Sequence, residues 1–159
     1  MWPPDALEFL RDLEDNNDRD WFKANRARYE EHLRAAAAAL GEDLSDLGRP
    51  RLFRPWNDTR FRPGPPIKEQ VGLAIGYEGA GGFYVELSLD GLLVAAGLHN
   101  PTPDQVERLR LKNLTVFRRH ALAPWLHTAE CDERVRGELE SSRPLVEWLR
   151  GTISRAASA

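Results

Sequence analysis

The residues with the most chemical capacity in this chain lie between 49 and 68. That stretch holds Arg49, Arg51, Arg54, Arg60, Arg62 and Lys68 against a single acid, Asp58. Arginine's planar fork matches a carboxylate or a phosphate, and lysine adds a compact point charge. Arg54, Arg60 and Lys68 are therefore read as donors of an anion site, with the Thr59 hydroxyl beside them. In an extended segment Asp58 and Arg60 share a face, while Thr59 and Phe61 point the other way. Asp58 can then orient an arginine from behind, or take a proton from bound substrate as a general base. The competing reading is structural. Asp58 or Glu86 can lock the arginines into internal ion pairs that perturb ionisation and catalyse nothing. These residues do not decide whether the chain is an enzyme.

Other reactive side chains offer less. His32, His99, His120 and His127 show no metal-ligand spacing. His99 sits at a turn beside a hairpin end and is kept as a candidate ligand-binding residue. Cys131 has Glu130 and Glu133 nearby, and acids raise a thiol pKa, which argues against a nucleophile. A single cysteine also excludes an internal disulfide and a multi-cysteine metal site. Gly79-Ala80-Gly81-Gly82 is followed by strand-like sequence and no Lys-Ser/Thr step, so it is not a phosphate-binding loop. No metal and no cofactor are expected. Arg108, Arg110, Lys112, Arg118, Arg119 and His120 form a run without acids around Phe117. That is a small version of a nucleic-acid contact. The formal net charge of −3 disfavours nucleic acid as a partner.

These residues need a scaffold. The chain has 159 residues, 42% hydrophobic and 30% charged, the balance of one soluble domain over 1–159. Charge is segregated: residues 1–48 sum to −6, 49–68 to +5, 69–105 to −5 and 106–159 to +3. A basic segment between acidic neighbours can focus an anion into a cleft. Apolar runs are far shorter than the ~20 residues of a membrane span. The start, Met1-Trp2-Pro3-Pro4-Asp5, has no signal-peptide pattern, so no membrane partner and a cytoplasmic address are expected. Oligomeric state is not readable.

Leu7, Leu10 and Leu13 mark a helix over 5–14. Asn17 or Asp18 can cap a second helix carrying Trp21, Phe22, Asn25, Tyr29, Leu33, Ala36, Ala37 and Leu40, which ends between Gly41 and Gly48. The proline-rich stretch 49–68 is extended chain and loop. Val71, Leu73, Ile75 and Tyr77 then alternate with Gly72, Ala74 and Gly76, a strand whose flat face lets a backbone or ligand approach. Phe83 to Leu89 and Leu92 to Leu98 flank Asp90-Gly91, a strong hairpin signal. Thr102, Pro103 and Gln105 spell a capping box. Leu111 to His120 is β-rich yet runs on from a helix without Gly or Pro. Thr128 can cap a helix to about Leu139, and Pro144 starts another with Leu145, Trp148, Leu149 and Ile153 facing inward. The fold class is α+β: a mostly antiparallel sheet with a central Asp-Gly hairpin, and N- and C-terminal helices packed on it.

Four stretches together resemble one family. They are Asn16-Asn17 with Trp21-Phe22; Phe53-Arg54-Pro55-Trp56-Asn57-Asp58-Thr59-Arg60-Phe61; Gly97-Leu98-His99-Asn100-Pro101; and Leu111-Lys112-Asn113-Leu114-Thr115-Val116. The chain resembles the bacterial and fungal proteins of domain-of-unknown-function family 2461. The resemblance implies a mixed α+β domain and names no activity. Three departures stand out. Asn57 replaces a basic residue, and Pro66-Ile67-Lys68 replaces a Pro-Tyr-Lys step. Several dozen family residues are also deleted or missing at the Arg110–Leu111 join. The leading expectation is a protein that binds a small anionic ligand, phosphate- or carboxylate-bearing. The alternatives are a structural or protein-interaction module, and a hydrolase or transferase with Asp58 as base.

Overall fold

The N-terminal leucine spacing forms helix α1, Pro4–Asp15, which buries Ala6, Leu7, Phe9, Leu10 and Leu13. The computed structural model describes residues 1–60, 63–77, 81–98, 101–109 and 114–155. Helix α2, Arg19–Ala24, is capped by Asp18, whose carboxylate accepts from the N–H groups of Asp20 and Trp21 at 2.8 Å each. The single helix expected after it is a chain of segments: α3 (Arg26–Arg28), a π-helical stretch (Tyr29–Arg34) and α4 (Ala35–Asp43). Tyr29, Leu33 and Ala37 are buried at spacings of four. A four-residue spacing drifts around an α-helix, and the wider π turn offsets that drift.

Among the described residues five strands form one antiparallel meander in chain order. They are β1 (Pro50–Leu52), β2 (Gln70–Ile75), β3 (Gly82–Ser88), β4 (Gly91–Leu98) and β5 (Leu114–His120). Helix α4 packs on β1 and β2, while α6 (Ala129–Ser141) and α7 (Arg143–Arg155) pack on β4. The covered face carries Leu73, Ile75, Phe83, Val85, Leu87, Leu92 and Val94, all in the core with Phe9, Phe22 and Leu40. The α+β architecture is as expected.

Local details refine the reading. The hairpin turn is Leu89-Asp90, one residue earlier than expected, because Ser88 pairs with Gly91. Gly91 opens β4 at φ +130°, where a Cβ would run into the His120 carbonyl oxygen of β5. Close approach of a third strand, rather than a primed turn, therefore demands glycine there. The capping box of α5 (Pro103–Leu109) forms: Thr102 N–H donates to Gln105 Oε1 at 2.8 Å, and Gln105 N–H to Thr102 Oγ1 at 3.4 Å. Residues 114–120 are a strand, not a continued helix; the Arg110–Leu111 join lies outside the described residues. Thr128 precedes α6 but caps nothing, since its hydroxyl donates to the Trp125 carbonyl at 2.9 Å. In α7 the inward residues are Val146 and Leu149, and Trp148 is 51% exposed. No helix among the described residues is long and apolar enough to cross a membrane.

Candidate functional site

Strand alternation sends one set of side chains into the core and the other set to the opposite face of the sheet. That second face opens in front of Ala74, Tyr84, Glu86 and Ala95. These residues, with Arg51 and Phe53 on one flank and Phe117 and Arg119 on the other, line a concavity of about 1170 Å³. Its floor is low where the sequence is small. A side chain at Gly72 would meet Tyr84 Oη at 2.6 Å, so the flat face of β2 makes room for that phenol. Ala74 and Ala95 add only methyl groups to the floor. Tyr77 also lines the concavity, having left the core-facing set after Gly76 turns at φ +61°.

One side of the concavity is built on Glu86, which is 9% exposed. Gln70 Nε2 and Tyr84 Oη each donate to Glu86 Oε2 at 2.7 Å. Arg119 lies 3.7 Å from Oε1 and donates to Ser88 Oγ at 3.4 Å. Burial, then the bond to Glu86, raises the Tyr84 pKa far above its usual value, so the phenol stays protonated and donates. A buried carboxylate is tolerated because these donors replace its water.

The other side is basic. Lys68 and Arg51 hold their charges 5.7 and 6.0 Å from the Phe53 ring centroid, and Arg49 lines the same flank. Phe53 in turn sits edge-on to Tyr84 at 5.9 Å. Burial, then the neighbouring Arg54 charge, lowers the Lys68 pKa. Among the described residues Arg49, Arg51, Arg54 and Lys68 make no ion pair.

The loop between β1 and β2 is what presents Lys68. Trp56 and Ile67 pair as an isolated antiparallel bridge, with Asn57 N–H donating to Pro66 O at 2.9 Å and Lys68 N–H to Pro55 O at 2.7 Å. Asn17 clamps this neck from the helical side. Its Oδ1 accepts from Ile67 N–H at 3.1 Å, and its Nδ2 donates to Ile67 O at 3.0 Å and Glu69 Oε1 at 2.7 Å. Trp56 seats on Phe22, ring centroids 5.3 Å apart. Asn17 was a candidate helix cap by sequence; Asp18 takes that role and frees Asn17 for the clamp.

The sequence-predicted residues separate. Lys68 lines the concavity. Arg54 is exposed on the loop, close enough in charge to act on both Lys68 and Asp58. Arg60 and Asp58 do meet side by side, in a turn rather than a strand: Arg60 Nε donates to Oδ1 at 2.9 Å and Nη2 to Oδ2 at 2.7 Å. This bond lowers the Asp58 pKa, which weakens it as a base. Asp58, Thr59 and Arg60 are not among the concavity's lining residues. His99 and Phe61 lie outside the described residues. Burial, more than any acid, pushes the Cys131 thiol up to about 11. Among the described residues no three His, Cys, Asp or Glu side chains group as metal ligands.

The model of the conserved hypothetical protein family DUF2461 matches residues 5–112. The chain belongs to this family. No curated protein and no solved structure matched it. In this DUF2461 chain the matched segment runs from α1 through α5, so it contains the Asn17 clamp, the loop, Lys68, Tyr84 and Glu86. Arg119 lies beyond it.

Sequence reasoning missed the Glu86 cluster as a site. A signal was present: Tyr84, Glu86 and Ser88 are the polar alternate set of β3, flanked by the glycine-alanine set of β2. Polar groups in the middle strand of a sheet, beside a floor of small residues, mark a face that is not packed as core.

Proposed function

We propose that this DUF2461 protein binds a small organic anion, phosphate- or carboxylate-bearing, on the open face of its sheet. The observation that carries the reading is Lys68. Its ammonium is partly desolvated, has no carboxylate partner among the described residues, and lines a ligand-sized concavity beside Arg49 and Arg51. An anion bound there would supply the missing countercharge, and the rings of Phe53 and Tyr84 would cover its apolar part. Arg54 adds long-range attraction from the loop. The structural alternative draws support at Arg60 alone, whose fork is engaged by Asp58.

Inorganic phosphate is the first probe. It should raise the unfolding midpoint of the wild-type protein saturably, by the equivalent of about 2.7 kcal/mol at a hundredfold excess over Kd. Lys68→Ala should fold and lose that protection. Equal protection by phosphate and by chloride at matched ionic strength in the wild-type protein would refute the reading.

A further inference from the structure

We infer that the ligand is a hydroxyl-bearing organic phosphate of the sugar-phosphate class, its hydroxyl read by Glu86 and Arg119. The inference rests on the anion reading above and adds what the other flank of the concavity recognises.

Among the described residues Glu86 is the one carboxylate lining the concavity. Its two oxygens differ. Oε2 is saturated by Gln70 and Tyr84 at 2.7 Å each. Oε1 receives no hydrogen bond from the described residues, and its nearest charge, Arg119 Nη2, stands at 3.7 Å. A carboxylate oxygen with unused lone pairs, on a residue that is 9% exposed and lines the concavity, calls for a donor from the ligand. Arg119 decides what kind of donor. An ammonium placed against Oε1 would also face the guanidinium, and the like charges would repel. A neutral hydroxyl fits both neighbours: its proton goes to Oε1, and its oxygen accepts from Arg119. Adjacent hydroxyls of a sugar can satisfy the two groups together. The walls agree, since Phe53, Tyr84 and Phe117 line the concavity with aromatic rings against which the C–H groups of a sugar can pack, and Phe117 is 72% exposed. Small residues on the floor leave space for a ring rather than a thin chain. The phosphate then lies toward Lys68, Arg51 and Arg49.

Ribose 5-phosphate and propyl phosphate separate the two layers of the reading. Both are phosphate monoesters, and only the first carries hydroxyls. Titration calorimetry on the wild-type protein should show ribose 5-phosphate at least tenfold tighter. Glu86→Gln should bring the two to within about twofold of each other. In that variant Gln70 and Tyr84 still hold the amide oxygen, so the amide NH₂ turns toward the concavity and offers a donor where the ligand needs an acceptor. If Glu86→Gln does not fold by circular dichroism, Arg119→Met carries the test with the same expected loss of preference. Equal wild-type affinities, or a preference that survives these variants, would overturn the hydroxyl inference while the anion site stands. Binding of neither phosphate would remove both readings.

Discussion

Asn17→Ala is the substitution whose cost the geometry defines best. Asn17 is a side chain that imitates a strand: it accepts from Ile67 N–H and donates to Ile67 O and Glu69 Oε1. Truncation affects these three bonds differently. The Ile67 carbonyl keeps a second donor, Asn57 Nδ2 at 3.3 Å, so losing Asn17 there costs well under 1 kcal/mol. The Glu69 carboxylate is half-buried and can rehydrate. The Ile67 N–H has no other partner among the described residues, and Ile67 is 0% exposed. A buried amide stripped of its acceptor costs about 1–3 kcal/mol. The total should be about 2–3 kcal/mol. In a chain of 159 residues that is a fall in melting temperature of roughly 5–10 °C. Urea unfolding should show a lower midpoint with an unchanged slope, since the denatured chain is the same length and the native fold persists. The neck of the loop carries Lys68, so phosphate affinity should fall in the same variant. A loss below 0.5 kcal/mol would mean that Asn17 does not clamp the loop.

Gly91→Ala should destabilise by about 1–3 kcal/mol in the same urea assay, because the residue sits at φ +130° and its Cβ would press on the His120 carbonyl. Gly64→Ala is the control: nothing lies within 4 Å of its added methyl, and it should be neutral or slightly stabilising, so equal costs at both positions would contradict the strand contact. The Asp58 carboxyl should titrate below the ordinary aspartate range in carbon-detected NMR, and Arg60→Ala should return it upward. A depressed carboxyl contributes its stability above the unfolded pKa and loses it as pH falls through the folded pKa. The pair therefore matters at neutral pH and disappears in acid. An unperturbed Asp58 in the wild-type protein would show that the ion pair does not persist in solution.

Signals confined to a few neighbouring residues were legible. The Thr102–Gln105 capping box reads from four letters because both hydrogen bonds lie within one turn. The alternation of β2 and β3 reads because the bulky apolar residues, Leu73 and Ile75, Phe83, Val85 and Leu87, keep to one parity. Parity says which residues share a face; it does not say which face the helices will cover. Helix packing from α4, α6 and α7 makes that choice, and it leaves Glu86 and the glycine-alanine face of β2 on the side that holds the concavity. Arg60 was read as a ligand donor because its neighbours supply a basic context; its meeting with Asp58 was expected from an extended segment and is made in a turn instead. Trp148 was placed inward on spacing from Leu145, yet the helix phase is set by Val146 and Leu149. The turn at Leu89-Asp90 shifted by one residue because Gly91 answers to β5, a strand 23 residues further on.

The meander has a kinetic consequence. Each strand hydrogen-bonds to the strand next to it along the chain, so no pairing must wait for a distant segment to arrive. The two-residue link between β3 and β4 closes at small entropic cost and can zip in microseconds. β2 and β5 then add to its flanks, and β1 last, across the widest gap. Such an order keeps the search local and makes the loop that carries Lys68 the slowest part of the sheet to assemble.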